Sequence, residues 1–160
     1  MGVFKTTFSR ALPVIKSDNA NVPYPAVVQS GTNTSTGASQ LIDSAATFQT
    51  NVVAPGDIVY NTTDSTAATV VSVTNQTTLV LNANIFAATA KAYVIYQASS
   101  QTGLGNTGCF LYVGGAGNVA VTTASGDILT FSNVPAGTTL PIQVIKVASA
   151  TTATLINALW

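Results

Sequence analysis

The sequence predicts an all-β protein in which an extended N-terminal arm precedes two small β-sandwich or barrel-like modules. Serine and threonine make up about a quarter of the 160 residues, while glutamate, a frequent residue on helix surfaces, is absent. Threonine and valine are branched at Cβ and suit a pleated, half-buried surface. Short apolar segments alternate with glycine and proline turns, a spacing typical of a sandwich or small barrel.

The composition argues against an enzyme. Charged residues account for 6% of the chain, against roughly 25% in an ordinary soluble domain, and the formal net charge is zero. Histidine and glutamate are both absent, so the usual general bases and a Ser-His-Asp arrangement are missing. The single cysteine, Cys109, permits neither an internal disulfide nor a cysteine-rich zinc site. We therefore expect no catalytic residue, no cofactor and no metal.

Two classes of partner are also disfavoured. Five dispersed basic residues provide no patch for a phosphate backbone, so nucleic acid is not expected as a partner. No apolar stretch reaches the length of a transmembrane helix, so a membrane is not expected either. Near-zero net charge removes the repulsion that keeps free proteins dispersed. The composition instead favours a subunit of an assembly.

Residues 1–37 are predicted to form an extended arm and linker. Pro13, Pro23 and Pro25 fix their own φ angles and push the preceding residues towards extended geometry. The polar run 30–37 reads as the linker. An arm with spaced aromatic side chains is typically ordered by a partner surface, and a disordered or self-packed terminus is the alternative.

Two β modules follow, over residues 38–98 and 107–160. Turn signals such as Pro55-Gly56-Asp57 bound the predicted strands. In the first module the predicted strands are 58–60, 67–73, 77–81 and 92–96. In the second they are 109–113, 118–122, 127–131, 142–148 and 153–159. The strand at 142–148 is apolar on both faces, which predicts a buried position or a subunit contact.

Several conspicuous residues have an ordinary structural interpretation. The glycine run 114–117 lacks the Gly-Lys-Ser/Thr ending and following helix of a phosphate loop, so a hairpin turn is favoured. Asp57 and Asp127 each follow a turn glycine and are predicted to cap turns rather than bind a cation. The stem of Lys146 is expected to lie on apolar surface with its ammonium group in water or at a neighbouring subunit. Trp160 packs either in a core seam or against a partner.

Three parts of the chain resemble virion proteins of tailed phages. Residues 8–15 and 17–25 resemble the opening of small virion proteins of marine tailed phages, cyanophages especially. Residues 41–48 and 55–63 are similar to a β module frequent in those virions. The segments 111–119, 134–142 and 151–154, with the final Ala158-Leu159-Trp160, resemble the spike-base family of phage heads and gene-transfer-agent particles.

The resemblance implies a non-enzymatic virion component that is assembled in the bacterial host cytoplasm. The leading hypothesis is a capsid decoration (cement) protein that binds major capsid subunits outside the head. The alternative is a neck- or tail-attached collar or spike/fibre base, bound to neck or tail proteins. A third hypothesis is a carbohydrate-binding adhesion module that uses Tyr60, Tyr93 and Tyr96. The resemblance also implies a homo-oligomer, with a trimer favoured because decoration proteins often occupy threefold positions.

Four aromatic side chains are the predicted interface anchors. They are Phe4, Phe8, Tyr24 and Trp160. Aromatic residues dominate the energetics of protein interfaces, and these four lie in the arm and at the end of the sequence. The sequence therefore predicts that the contact surface is formed by the arm and the module edges.

Overall fold

The computed structural model describes residues 8–98 and 108–160, which contain twelve strands and no helix. The strands are β1 Ala11–Pro13, β2 Val27–Thr32, β3 Gln40–Ile42, β4 Ile58–Asn61, β5 Thr66–Asn75, β6 Thr78–Leu81, β7 Ala92–Tyr96, β8 Cys109–Gly115, β9 Gly117–Thr123, β10 Ile128–Val134, β11 Thr138–Val147 and β12 Thr154–Leu159. They form two six-stranded sheets, and the predicted all-β fold with two modules is confirmed. Within the described ranges there is accordingly no helix that could cross a membrane.

The N-terminal sheet has the strand order β2-β7-β4-β5-β6-β3, with antiparallel pairs throughout. Strands β4 and β7 match the predicted segments 58–60 and 92–96 to within one residue. Alternation along β7 turns Tyr93 inwards, where the rings of Phe48 and Phe86 lie 6.2 and 6.3 Å from it. Both phenylalanines come from the segments that join strands, so these segments cover the sheet and complete its core.

The C-terminal sheet has the order β1-β12-β8-β11-β9-β10. All five strands predicted in this module are present, with ends shifted by a few residues. Its core consists of small and branched side chains, chiefly Leu111, Val113, Val119, Val121, Val144, Val147 and Ile156. The two apolar faces of segment 142–148 are explained because β11 lies inside the sheet, between β8 and β9.

Residues 8–26 pack along both sheets of their own chain. Strand β1 pairs with β12, and the N–H groups of Ser17 and Val22 donate to carbonyls of β11 at 2.9 and 2.8 Å. Leu12 and Ala20 join residues of β4 and β5 in an apolar cluster that contains side chains from both sheets. Of the two alternatives for the arm, the self-packed one therefore describes residues 8–26. Their apolar side chains fill positions that neither sheet covers alone.

The polar run 30–37 is not a free linker, contrary to the prediction. Residues 30–32 end strand β2 at the edge of the N-terminal sheet. The N–H groups of Thr34 and Ser35 then donate to the carbonyl of Ile42 at 2.9 and 3.4 Å. An edge strand is hydrogen-bonded to a neighbouring strand on one side only. Fewer of its side chains are buried, so its sequence can be as polar as that of a linker.

The glycine run is a turn, as predicted, but the predicted hairpin is wrong: β8 and β9 do not pair with each other, because β11 lies between them. Strand β8 ends at Gly115 and β9 begins at Gly117. A Cβ atom on Gly117 would lie 2.5 Å from the backbone nitrogen of Ala153. The turn therefore requires glycine because the chain before β12 passes directly against it.

The predicted turn caps are confirmed for both aspartates. Asp57 Oδ2 accepts the N–H of Ala54 at 2.9 Å, and desolvation by burial raises the pKa of this carboxyl group. Asp127 is linked to Thr123 by two hydrogen bonds: its N–H donates to Thr123 Oγ1, whose hydroxyl donates to Asp127 Oδ2. Both carboxylates thus satisfy local donors.

Candidate interface on the C-terminal sheet

Trp160 lies at the seam between the sheets. Its side chain flanks both the core of the C-terminal sheet and the cluster shared by the two sheets. The Tyr24 ring meets it edge-on with centroids 5.9 Å apart, and the Arg10 guanidinium carbon lies 5.2 Å from the centroid of the Tyr24 ring. The seam alternative therefore describes Trp160, and both rings are partly exposed there. Two of the predicted anchors, Tyr24 and Trp160, are brought together.

Basic side chains make contacts within residues 8–26 and between these residues and the C-terminal sheet. Three of them donate to backbone carbonyls: Arg10 to Pro25 at 3.0 Å, Lys16 to Thr151 at 2.8 Å and Lys146 to Asp18 at 3.1 Å. The ammonium group of Lys146 reaches this carbonyl at the surface, in agreement with its predicted course along the strand. These three cations serve contacts within the chain and do not combine into a basic patch.

Phe8 lies on the outer face of the C-terminal sheet, the face opposite its core. Its ring is 5.5 Å from the ring of Phe110, and 39% of Phe8 is exposed. Phe110 lies in β8 between the buried residues Cys109 and Leu111, so its side chain points away from the core. The remaining predicted anchor, Phe4, lies outside the described residues.

Tyr112 and Leu155 extend this surface along β8. Tyr112 is two residues after Phe110, on the same face, and is 38% exposed. Leu155 is 76% exposed, and its Cβ atom lies 2.9 Å from the position a Cβ would take on Gly114, again on the outer face of β8. We call Phe8, Phe110, Tyr112 and Leu155 the outer stripe.

The outer stripe lies on an uncharged surface. Strands β8, β9 and β12 contain no Asp, Glu, Lys or Arg, and β11 has only Lys146 near its end. The neighbours opposite Tyr112 are Thr139 of β11 and Asn157 of β12, both neutral and polar. An apolar centre with a neutral polar rim is the usual anatomy of a protein contact surface.

Asp43 and Cys109 are buried in structural roles. Asp43 is 4% exposed and accepts the Tyr93 hydroxyl at 2.7 Å, while burial and this carboxylate raise the pKa of Tyr93. Cys109 is buried, and its desolvation raises the pKa of the thiol to about 12. In the described ranges no cluster of three or more His, Cys, Asp or Glu side chains could hold a metal.

The tyrosines considered for carbohydrate binding do not form an exposed platform. Tyr60 and Tyr93 are 3% and 1% exposed, and Tyr96 packs edge-on against Tyr60 at 5.3 Å. Burial raises the pKa of Tyr60. The rings of Tyr60 and Tyr93 are not accessible to a sugar, and Tyr96 is only partly exposed.

Sequence reasoning missed three of the four stripe residues: Phe110, Tyr112 and Leu155. The alternation of the predicted strand 109–113 could have identified the first two, because it turns them away from Leu111 and Val113. Leu155 carries no such signal, since its φ of 51° breaks the alternation of β12. Comparison with known proteins finds no matching family model, no similar curated protein and no similar solved structure.

Proposed function

We propose that this protein is a non-enzymatic structural component of a phage virion, acting as a decoration (cement) protein on the outside of the head. The sequence resemblance supports the class of particle. The outer stripe is the observation that supports the mode of action, because it offers an uncharged aromatic centre for binding. In this proposal the stripe is buried against major capsid subunits and strengthens the head by joining them.

The energetics of burial suit such a role. Aromatic side chains each bury about 150–250 Å² in cores and interfaces, and a specific interface needs roughly 1,000 Å² in total. The stripe would supply the centre of that area, with neutral polar neighbours around it. Its burial would remove no charge from water, so the desolvation cost that accompanies buried ion pairs does not arise.

Binding to particles that lack the protein tests this proposal. The double variant Phe110→Ser/Tyr112→Ser should reduce occupancy at least about ten-fold, since truncating a central aromatic anchor typically costs about 2 kcal/mol or more. The matched control is Val71→Ser, which alters an exposed residue of the N-terminal sheet. Unchanged occupancy of the double variant, with the control also bound, would contradict the proposed mode of binding.

Deleting residues 1–25 would be a poor test of the arm. Leu12, Ala20 and Val22 are buried in the cores of this chain, so the deletion would disturb the fold as well as any contact. Phe4→Ala is the cleaner variant for the prediction that this residue is an anchor. It should lower particle occupancy, and the thermal midpoint of the free protein is measured beside it as the control for folding.

The position of labelled copies on the particle separates decoration from the neck or tail alternative. Decoration requires copies spread over the head surface. A collar or a spike/fibre base requires a small number of copies at one vertex or along the tail. Imaging of labelled particles therefore decides between two structural roles that share the same burial chemistry.

A further inference from the structure

The edge strands of the two sheets differ in how far they are protected. Strand β1 has three residues and includes Pro13. Strand β3 also has three residues, and the carbonyl of Ile42 already accepts the N–H groups of Thr34 and Ser35. Strand β2 has a register shift between Val27 and Gln29. Strand β10 instead pairs in regular register with β9 over residues 128–131. Its register shifts only after Phe131, so residues 128–131 keep a regular outer edge without proline.

The backbone groups on the outer edge of β10 can be assigned. Thr130 lies opposite Ala120 of β9. The N–H of Ala120 donates to Thr151 Oγ1 at 2.9 Å, and its carbonyl accepts the N–H of Ala148 at 2.9 Å, so both groups point away from β10. Thr130 and Ala120 therefore form a non-hydrogen-bonded pair, and the N–H and C=O of Thr130 point outward. The same holds two residues earlier, at Ile128.

The side chains of β10 are also incompletely covered. Leu129 and Phe131 pack against the core of the C-terminal sheet but remain half-buried. Ile128, on the opposite face, is 87% exposed. Residues 128–134 contain no charged side chain and no proline, the features by which edge strands usually prevent pairing. Both the backbone and the side chains of this edge are suited to an added strand.

We infer that β10 pairs with β10 of a second copy, antiparallel about a two-fold axis, with Ile128 opposite Thr130 of the second copy. Each such pair exchanges two N–H···O bonds, so the two symmetric pairs form four. The register places the two Leu129 side chains side by side over the half-buried margin of the core. A second copy is the favoured occupant because the strand and the whole chain carry no net charge, so self-pairing opposes no like charges.

This inference goes beyond the proposed function and can be tested without any particle. It also differs from the trimer that the phage resemblance implies, because a two-fold pair of identical edges closes as a dimer. Sedimentation of the purified protein over a dilution series should give twice the monomer mass of 16.2 kDa. A trimeric mass, or a monomer at every concentration, would overturn it.

Substitutions at Thr130 separate the backbone contact from the side chain. Thr130→Pro fixes φ and removes an outward N–H that is not used within the sheet, and should weaken dimerisation at least about ten-fold. Thr130→Ala keeps the N–H and should remain dimeric. If Thr130→Pro lowers the strand signal in circular dichroism, the variant Thr130→Lys is used in its place. The lysine adds a charge at an exposed position of the edge and should also weaken the dimer. A dimer that survives both substitutions would refute the pairing.

Cysteine cross-linking tests the register. Residues in a non-hydrogen-bonded antiparallel pair have Cα atoms about 4.5 Å apart, within disulfide range, so Leu129→Cys should give a covalent dimer on mild oxidation. Thr130→Cys is the matched control, because its two copies would not lie opposite each other and should stay unlinked. Cross-linking at 130 but not at 129 would contradict the register. Particle binding by a protein that proves monomeric would reject the β10 pair and leave the proposed function standing.

Discussion

The two sheets use their polar and apolar groups in opposite ways. The N-terminal sheet buries aspartate and asparagine side chains that are hydrogen-bonded. Of its edge strands, β2 has a register shift and β3 is short and forms a bridge from Ile42 to Ser35. The C-terminal sheet has an aliphatic core, exposes aromatic and aliphatic side chains on its outer face, and leaves one edge open. The comparison indicates that the N-terminal sheet satisfies its polar groups within the chain, and that the C-terminal sheet carries the surfaces suited to contacts with other proteins.

The buried carboxylate of Asp43 and the buried amide of Asn61 in the N-terminal sheet are both hydrogen-bonded. Asp43 accepts the Tyr93 hydroxyl at 2.7 Å and the N–H of Ala45 at 3.0 Å. The buried amide of Asn61 donates to the carboxylate of Asp64 at 2.9 Å and to the carbonyl of Ile85 at 2.7 Å. Such groups stabilise a fold only while they remain paired, which makes this sheet sensitive to loss of a single partner.

The largest expected effect concerns the turn between β8 and β9 in the C-terminal sheet. Gly117→Ala should destabilise the protein by about 3 kcal/mol or more, because the added Cβ would meet backbone atoms of Ala153 that cannot easily move. Gly126→Ala is the matched control: its φ is 95° with no atom within 4 Å, so it should cost only about 1 kcal/mol. Denaturant unfolding measures both, and equal losses would show that close approach is not the reason for Gly117.

A smaller loss is expected at the polar pair in the N-terminal sheet. Tyr93→Phe removes the donor to Asp43 and leaves a buried carboxylate short of one partner, which should cost about 2 kcal/mol of unfolding free energy. Tyr96→Phe, on the same strand and without a hydrogen bond of this kind to a carboxylate, should cost much less. Comparable losses from the two substitutions would mean that the buried pair is not a special feature of this sheet.

Two aspartates of the N-terminal sheet should titrate with opposite effects on stability. Burial raises the folded-state pKa of Asp57, so its contribution is present below the unfolded pKa and is lost as pH rises through the folded pKa. Hydrogen bonds from Lys91 and Asn61 lower the pKa of exposed Asp64, whose smaller contribution is present above the unfolded pKa and is lost as pH falls. The variants Asp57→Asn and Asp64→Asn should therefore change the slope of stability against pH in opposite directions. Parallel changes would contradict these assignments.

Strands β4 to β12 could be predicted from the sequence because their apolar alternation and turn residues are local signals, whereas the three-residue strand β3 was not predicted. Strand β1 could not, since it is three residues long and depends on pairing with β12, at the other end of the sequence. Strand β2 could not be predicted either, because an edge strand can be as polar as a linker. Of the outer stripe, Phe8 was predicted as an anchor, but its position beside Phe110 depends on how residues 8–26 cross the sheets.

Hydroxyl-radical footprinting of the protein free and on assembled particles tests the central claim most directly. If the C-terminal sheet provides the contact surface, oxidation of Phe110 and Tyr112 should fall strongly on assembly, while the exposed Val71 of the N-terminal sheet keeps its rate. Protection of Val71 together with unchanged oxidation of Phe110 and Tyr112 would contradict the assignment of the contact surface to the outer stripe.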